Sequence, residues 1–116
     1  MDIARKTIVF DAADIEPEST FWAAMLGGEI TRDDDWHSIE VNGVKELAVQ
    51  WAPDHLPPQW PDGRPQQIHL DLVVEDIAAA HNEAVALGAE LLRQAEEGED
   101  FNVYADPAGH PFCLCW

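Results

Sequence analysis

The chain contains the same order of segments twice, and this internal repeat restricts its fold more than any other feature of the sequence. The run Leu26-Gly-Gly-Glu-Ile30 in the first half corresponds to Leu87-Gly-Ala-Glu-Leu91 in the second, an offset of 61 residues. A repeat unit of this size is one supersecondary structure that cannot bury its apolar face alone. We therefore expect one domain of 116 residues that is assembled from two similar modules.

Each half has the pattern of one strand, one helix and three short strands. In the first half, the predicted elements are a strand at 7–14, a helix at 16–26, and strands at 29–32, 36–41 and 46–51. Gly27 follows the helix as a typical C-terminal stop, and Asn42-Gly43 is a strong hairpin signal. In the second half, the predicted elements are a strand at 67–74, a helix at 77–87 with Asp76 as its N-cap, and strands at 90–94, 101–105 and 111–116.

A proline-rich segment separates the two halves. Residues 53–66 contain five of the eight prolines, which excludes a central strand or a regular helix. The sequence thus predicts a first module at 1–52, a stiff linker at 53–66 and a second module at 67–116. Trp60 lies among these prolines, so we expect it at the mouth of a cleft.

Charge and composition exclude several classes of function. Six Lys and Arg against 23 Asp and Glu give a net charge of −17, which disfavours nucleic acid and anionic membrane surfaces as partners. No apolar run reaches the ~20 residues of a membrane span, and the start of the chain has no apolar export signal. Cys113 and Cys115 are too close in sequence to join distant segments. We expect a cytoplasmic protein with reduced thiols.

Several motifs resemble the vicinal oxygen chelate superfamily, which includes glyoxalase I, extradiol dioxygenases and bleomycin-resistance proteins, and in particular its short glyoxalase-like branch. The resemblance is carried by Phe21-Trp22, Leu26-Gly27, His69-Leu-Asp71, Asp76, Leu87-Gly-Ala89, Asp106-Pro-Ala-Gly-His-Pro-Phe112 and the linker run Pro58-Gln-Trp-Pro61. It implies an α+β fold in which two βαβββ modules form an eight-stranded, incompletely closed barrel around a shared cavity. It also implies a homodimer.

Metal-using members of the superfamily place one ligand on the first and one on the last strand of each module, usually His and Glu. Transferred to this chain, that pattern gives Thr7 or Val9, Gln50, His69 and Cys113. Only His69 is a typical ligand. We therefore expect no resident cofactor. The alternative is a divalent metal (Zn²⁺, Ni²⁺, Mn²⁺ or Fe²⁺) held by His69, Cys113 and Gln50, with His110 as a further candidate.

The resemblance implies three functions, and no catalytic residue can be assigned from the sequence. The first is a small-molecule-binding protein like the bleomycin-resistance proteins, whose planar or cationic ligand contacts Gln50, Trp60, His69, Asp71 and Cys113. The second is an enzyme, a glyoxalase-type lyase or an extradiol-type dioxygenase, that uses a metal at His69. The third is a dimeric interaction module with a vestigial cavity. Surface positions are predicted for His37, His55 and His81, and a core position for Trp22.

Overall fold

The computed structural model describes all 116 residues, which form two compact units, residues 1–55 and 56–116. Each unit contains one helix and one mixed four-stranded sheet. Most of the proline-rich segment belongs to the second unit. The α+β class and the two βαβββ modules are confirmed, and neither sheet closes into a barrel. Neither helix has the length and apolar character that a membrane-spanning helix requires.

The first unit consists of β1 (Ile8–Ala12), α1 (Ile15–Leu26), β2 (Glu29–Arg32), β3 (Trp36–Val41) and β4 (Val44–Trp51). Its sheet has the order β1-β4-β3-β2, with β1 parallel to β4. Gly27 ends α1 with a left-handed backbone. Asn42 and Gly43 join β3 to β4 with φ angles of 51° and 77°, the two positive values that a type I′ hairpin turn requires.

The core of the first unit lies between α1 and one face of its sheet. Trp22 is fully buried, and its ring centroid lies 5.2 Å from that of Phe10 on β1. The core position predicted for Trp22 is confirmed. The surface position predicted for His37 is wrong, because β3 directs this side chain toward α1, where its Nδ1 lies 2.7 Å from the buried Ser19 Oγ.

The second unit consists of β5 (Leu70–Val73), α2 (Ile77–Leu87), β6 (Glu90–Arg93), β7 (Phe101–Ala105) and β8 (Pro111–Cys115). Its sheet has the order β5-β8-β7-β6, the same topology as in the first unit, with β5 parallel to β8. The side chain of Asp76 caps α2 by accepting a hydrogen bond from the Ala79 amide, at 3.0 Å. Tyr104 and Phe112 stack at 5.5 Å in the core.

The strand β5 is shorter than the prediction of 67–74. The register places Leu70 opposite Phe112, so His69 would face Pro111, which has no amide hydrogen to continue the ladder. His69 therefore immediately precedes the strand. At the other end of the sheet, Gln94 and Trp116 lie just outside β6 and β8, in contrast to the prediction.

Candidate ligand site

Strand register brings two predicted site residues together on the second sheet. Asp71 on β5 is the direct partner of Cys113 on β8, and Cys113 is the partner of Val103 on β7. Paired residues point to the same face of a sheet, and successive residues point to opposite faces. Asn102 and Tyr104 therefore lie on one face of this sheet, while Asp71, Cys113 and Val103 lie on the other.

His69 completes a cluster of three potential metal ligands. Its Nε2 lies 3.3 Å from Asp71 Oδ1, and one ligand atom from each of His69, Asp71 and Cys113 lies within 4.8 Å of the others. His69 and Asp71 are exposed, whereas Cys113 is buried. The cluster thus combines a nitrogen, an oxygen and a sulfur donor at the protein surface.

Cys113 is a protonated thiol at neutral pH. Burial, together with a hydrogen bond to Asp71 and the negative charges nearby, raises the pKa of the Cys113 thiol to about 12. Burial also raises the pKa of Cys115. A nucleophilic cysteine needs a lowered pKa, so this environment is the opposite of a catalytic one.

A groove runs over this face of the second sheet, and we call it the sheet groove. It consists of two adjoining cavities of about 190 Å³ and 260 Å³ that share His69, Phe101 and Cys113. The smaller cavity is further lined by Trp60, Gln66, Val103, Pro111 and Phe112, and the larger one by Asp71, Asp100 and Cys115. One end of the groove is therefore mainly apolar and aromatic, and the other end is acidic.

The apolar end contains a buried acceptor that lacks a partner. Gln66 Oε1 is inaccessible to solvent and has no hydrogen bond. A buried polar atom without a partner costs about 1–3 kcal/mol, so such atoms are uncommon. If the Gln66 amide turned toward the groove, a ligand with an N–H or O–H group would offset this cost.

The proline-rich segment forms an ordered loop that holds Trp60 in the groove wall. Arg64 donates from its Nη1 to the Pro57 carbonyl. The Gln59 amide donates to the Arg64 carbonyl, and the Arg64 amide donates to Gln59 Oε1. Pro57 packs so closely on Gly109 that a Cβ there would meet it at 2.5 Å. The loop is thereby fixed to the turn that precedes β8.

The first sheet has the same register but different side chains. Asp11 on β1 is the partner of Gln50 on β4, just as Asp71 is the partner of Cys113. The position two residues before the aspartate is Val9 in this unit and His69 in the other. Of the two alternatives for the first ligand, Val9 is thus the structural counterpart of His69, and valine has no donor atom.

The metal-ligand set inferred from the resemblance fits the structure only in part. Zn²⁺ accepts nitrogen, oxygen and sulfur donors, and tetrahedral bonds of about 2.0–2.3 Å place its ligands roughly 3.3–3.7 Å apart. The His69, Asp71 and Cys113 donors therefore suit a metal in type, although they would have to move closer together. Val9 cannot contribute to such a site, and Gln50 offers only a neutral oxygen.

The structure places the predicted site residues in two groups. Trp60, His69, Asp71 and Cys113 all line the sheet groove. Gln50 is exposed on β4 of the first unit, beside Asp11 and Trp36.

Several groove residues were not predicted from the sequence, among them Gln66, Phe101 and Asp100. The alternation along β7 could have revealed Phe101, which lies two residues before Val103. No sequence signal marks Gln66. The His110 amide donates to Asp106 Oδ1 at 2.8 Å, so His110 closes the turn before β8.

The sequence as a whole matches one protein-family model. The model describes a glyoxalase-like domain, and it matches residues 7–115, which include both modules. The chain belongs to the glyoxalase-like domain family. The comparison with curated protein sequences finds no relative.

Solved structures of similar fold come from several bacteria. A glyoxalase family protein from Enterococcus faecalis is 20% identical, with a TM-score of 0.69 and 100% of both chains covered. A glyoxalase-related enzyme from Fulvimarina pelagi is also 20% identical, with a TM-score of 0.70 over 97% of this chain and 88% of that one. The fosfomycin resistance protein FosX from Listeria monocytogenes is 15% identical, with a TM-score of 0.71 over 99% and 93%. At such identities the likeness shows the fold of this glyoxalase-like domain.

Proposed function

We propose that this glyoxalase-like domain binds a small planar molecule in the sheet groove without a resident metal. The observation that carries the proposal is a cavity lined by Trp60, Phe101 and Gln66, in which the buried Gln66 Oε1 has no hydrogen-bond partner and would meet a ligand once the amide turns toward the groove. Aromatic walls stack on planar ligands, and a small number of polar groups fixes their orientation. The ligand therefore carries a hydrogen-bond donor on a flat ring.

The acidic end of the groove favours a cationic ligand. Asp71 and Asp100 line the larger cavity, and no Lys or Arg contributes to either cavity. A ligand that extends from Gln66 to Asp71 meets an acceptor at one end and a carboxylate at the other. Charge-assisted hydrogen bonds are roughly twice as strong as neutral ones, so this end adds affinity for a cation.

The proposal is tested by titration of tryptophan emission with benzamidine, a planar cation whose amidinium donates hydrogen bonds. We expect a saturable change that Trp60→Phe largely removes. Gln66→Leu keeps the size of the side chain but deletes the acceptor, and the loss of one hydrogen bond weakens binding by roughly fivefold. Neutral benzamide is the matched ligand control. A response that does not saturate, or that both variants leave unchanged, would overturn the proposal.

A metal-dependent lyase or dioxygenase is the second candidate, and the cluster of His69, Asp71 and Cys113 favours it. These three residues would hold the ion, and a bound divalent metal would supply Lewis-acid polarisation of a substrate oxygen. His69 would then contribute its neutral imidazole, and Cys113 would have to lose its proton. The candidate predicts a stoichiometric metal that His69→Ala removes.

We further propose that the domain forms a homodimer. Ile68, two residues before β5, is 63% exposed, and Val73, at the end of β5, is 82% exposed. The strand β5 lies at the edge of its sheet. Light scattering of the purified chain should give about twice 12.9 kDa. A dimer that binds neither metal nor benzamidine would instead match an interaction module with a vestigial cavity.

A further inference from the structure

A second and larger cavity lies on the opposite face of the second sheet, and we call it the helix-side cavity. Its volume is about 590 Å³, within the range of small-molecule sites. It is bounded by the first turns of α2, by the connection between β6 and β7, and by Trp116. Asn102, which lines it, alternates with Phe101 and Val103 of the sheet groove, so the two sites share a sheet but no side chain.

A hydrogen-bond chain leads from the main chain to one side of this cavity. The Ala95 amide donates to Asn102 Oδ1 at 2.8 Å, which fixes the amide orientation and directs Nδ2 to Tyr104 Oη at 3.2 Å. Tyr104 Oη lies 3.0 Å from His81 Nδ1. Burial raises the pKa of Tyr104. Since its hydroxyl oxygen accepts from Asn102, its proton is available to donate to His81 Nδ1.

This chain leaves His81 with a donor for a ligand. If Nδ1 accepts from Tyr104, the proton of the neutral imidazole resides on Nε2. His81 is half-buried and lines the cavity, and its only hydrogen bond is the one to Tyr104. Nε2–H can then donate to an acceptor atom of a bound molecule in place of water.

The opposite wall of the cavity is acidic and held in place. Glu99 accepts two hydrogen bonds from Arg93 Nη2, at 2.6 and 2.7 Å, and a third from the Glu96 amide. The Trp116 amide donates to the Asp100 carbonyl at 3.0 Å. These contacts hold the connection between β6 and β7 against the sheet, so the cavity exists before any ligand binds.

The charge of this wall is not neutralised within the cavity. Glu96, Glu97 and Glu99 line it, and no Lys or Arg does. Arg93 is engaged by Glu99, while Glu97 forms no ion pair. Ile77, Leu91 and Trp116 provide apolar surface between the carboxylates and His81.

We propose that the helix-side cavity is a second binding site, and that it takes a small organic ammonium ion with an aromatic or branched apolar body. The ammonium group lies against Glu96 and Glu97, and the body packs on Ile77, Leu91 and Trp116. An aromatic indole also attracts a cation directly. A ligand with an acceptor atom gains the hydrogen bond from His81.

The test is a titration of the ¹⁵N-labelled chain with 2-phenylethylamine, followed by amide and indole chemical shifts. We expect saturable shifts at Ala78, Glu97 and the Trp116 indole. Two exposed carboxylates together contribute roughly five- to tenfold in affinity for a cation. The neutral isostere 2-phenylethanol should therefore bind more weakly than the amine by this factor, and the anion phenylacetate should not bind. The double variant Glu96→Gln, Glu97→Gln should reduce the affinity for the amine by the same factor.

The matched control is Asp33→Asn, Asp34→Asn, which removes two exposed carboxylates of the first unit that line neither site, and it should leave amine binding unchanged. Equal affinity for 2-phenylethanol would overturn the assignment of an ammonium ligand. Two results would overturn the site itself. One is a set of shifts confined to Trp60 and Cys113. The other is the absence of a saturable shift up to about 10 mM amine, a concentration that corresponds to roughly 3 kcal/mol of binding free energy. Glu96 and Glu97 are exposed loop residues, so the spectrum of the variant Glu96→Gln, Glu97→Gln also reports whether the fold is intact.

Discussion

At the scale of single residues, the environment of Cys113 distinguishes a binding groove from a thiol-based active site. The sequence predicted that Cys113 belongs to the site, because the resemblance places a ligand at this position. It could not predict the partner, since Asp71 reaches Cys113, 42 residues later in the chain, only through the pairing of β5 with β8. The same pairing explains the raised pKa of the thiol.

The thiol of Cys113 should be almost inert toward iodoacetamide at pH 8. Its pKa of about 12, against an ordinary 9.0, reduces the thiolate fraction by roughly a thousandfold. The rate is measured by mass spectrometry in Cys115→Ala, which retains one thiol. Reactivity should rise as the pH approaches 12 or when the chain is unfolded. Labelling of the folded chain at the rate of free cysteine would contradict the assignment.

The buried pair of Ser19 and His37 in the first unit should stabilise the fold. Ser19→Ala removes the oxygen that lies 2.7 Å from His37 Nδ1 and leaves a buried polar atom unpaired. We expect the free energy of unfolding to fall by about 1–3 kcal/mol. Chemical denaturation measures this change, and Thr20→Ala, at an exposed position of the same helix, is the control. Equal effects of the two variants would contradict the role of this pair.

At the scale of helices and strands, the sequence predicted every element, because each has a clear period and a Gly, Pro or Asn-Gly boundary. The helix at 77–87 and the strands at 29–32, 36–41 and 101–105 match the structure at both ends. The start of β5 was misplaced because it depends on Pro111, which is remote in sequence. The groove residue Gln66 was missed for a related reason: a loop residue acquires a role only through the strands on which the loop packs.

Gly28, the second glycine after α1, should be required because β3 packs directly against it. A Cβ added to Gly28 would lie 2.8 Å from the Glu40 carbonyl oxygen, a main-chain atom that cannot move independently. Gly28→Ala should therefore lower the free energy of unfolding by about 1–3 kcal/mol, the usual cost of overpacking. The corresponding residue of the second module is Ala89, so Ala89→Gly is the control, and its smaller effect comes from the lost methyl group. A stabilising effect of Gly28→Ala would contradict the close contact.

At the scale of the whole molecule, the acidity of the chain destabilises its compact state. The net charge is −17, and only two Arg–Glu ion pairs oppose this repulsion, Arg32 with Glu16 and Arg93 with Glu99. Both pairs are partly exposed, and such pairs contribute little to stability because water screens the charges. The destabilisation from repulsion among the carboxylates is therefore larger than the stabilisation from the two ion pairs.

Added salt should raise the melting temperature. Between about 0.05 M and about 1 M NaCl the Debye length falls from more than 10 Å to about 3 Å, which screens the repulsion between carboxylates. We expect an increase of several degrees in Tm, measured by circular dichroism at pH 7. A decrease in Tm over this range would show that specific ion pairs dominate, in contradiction to the charge balance.

We propose that the second unit presents a ligand groove without a resident metal, although a glyoxalase-related enzyme has a similar fold. The most direct test is the metal content of the native, untagged protein by plasma mass spectrometry, with His69→Ala as the control. We expect far less than one metal per chain, even after incubation with Zn²⁺, Ni²⁺, Mn²⁺ and Fe²⁺, and no difference between the two proteins. Near-stoichiometric metal that disappears in His69→Ala would contradict this proposal and establish the cluster of His69, Asp71 and Cys113 as a metal centre.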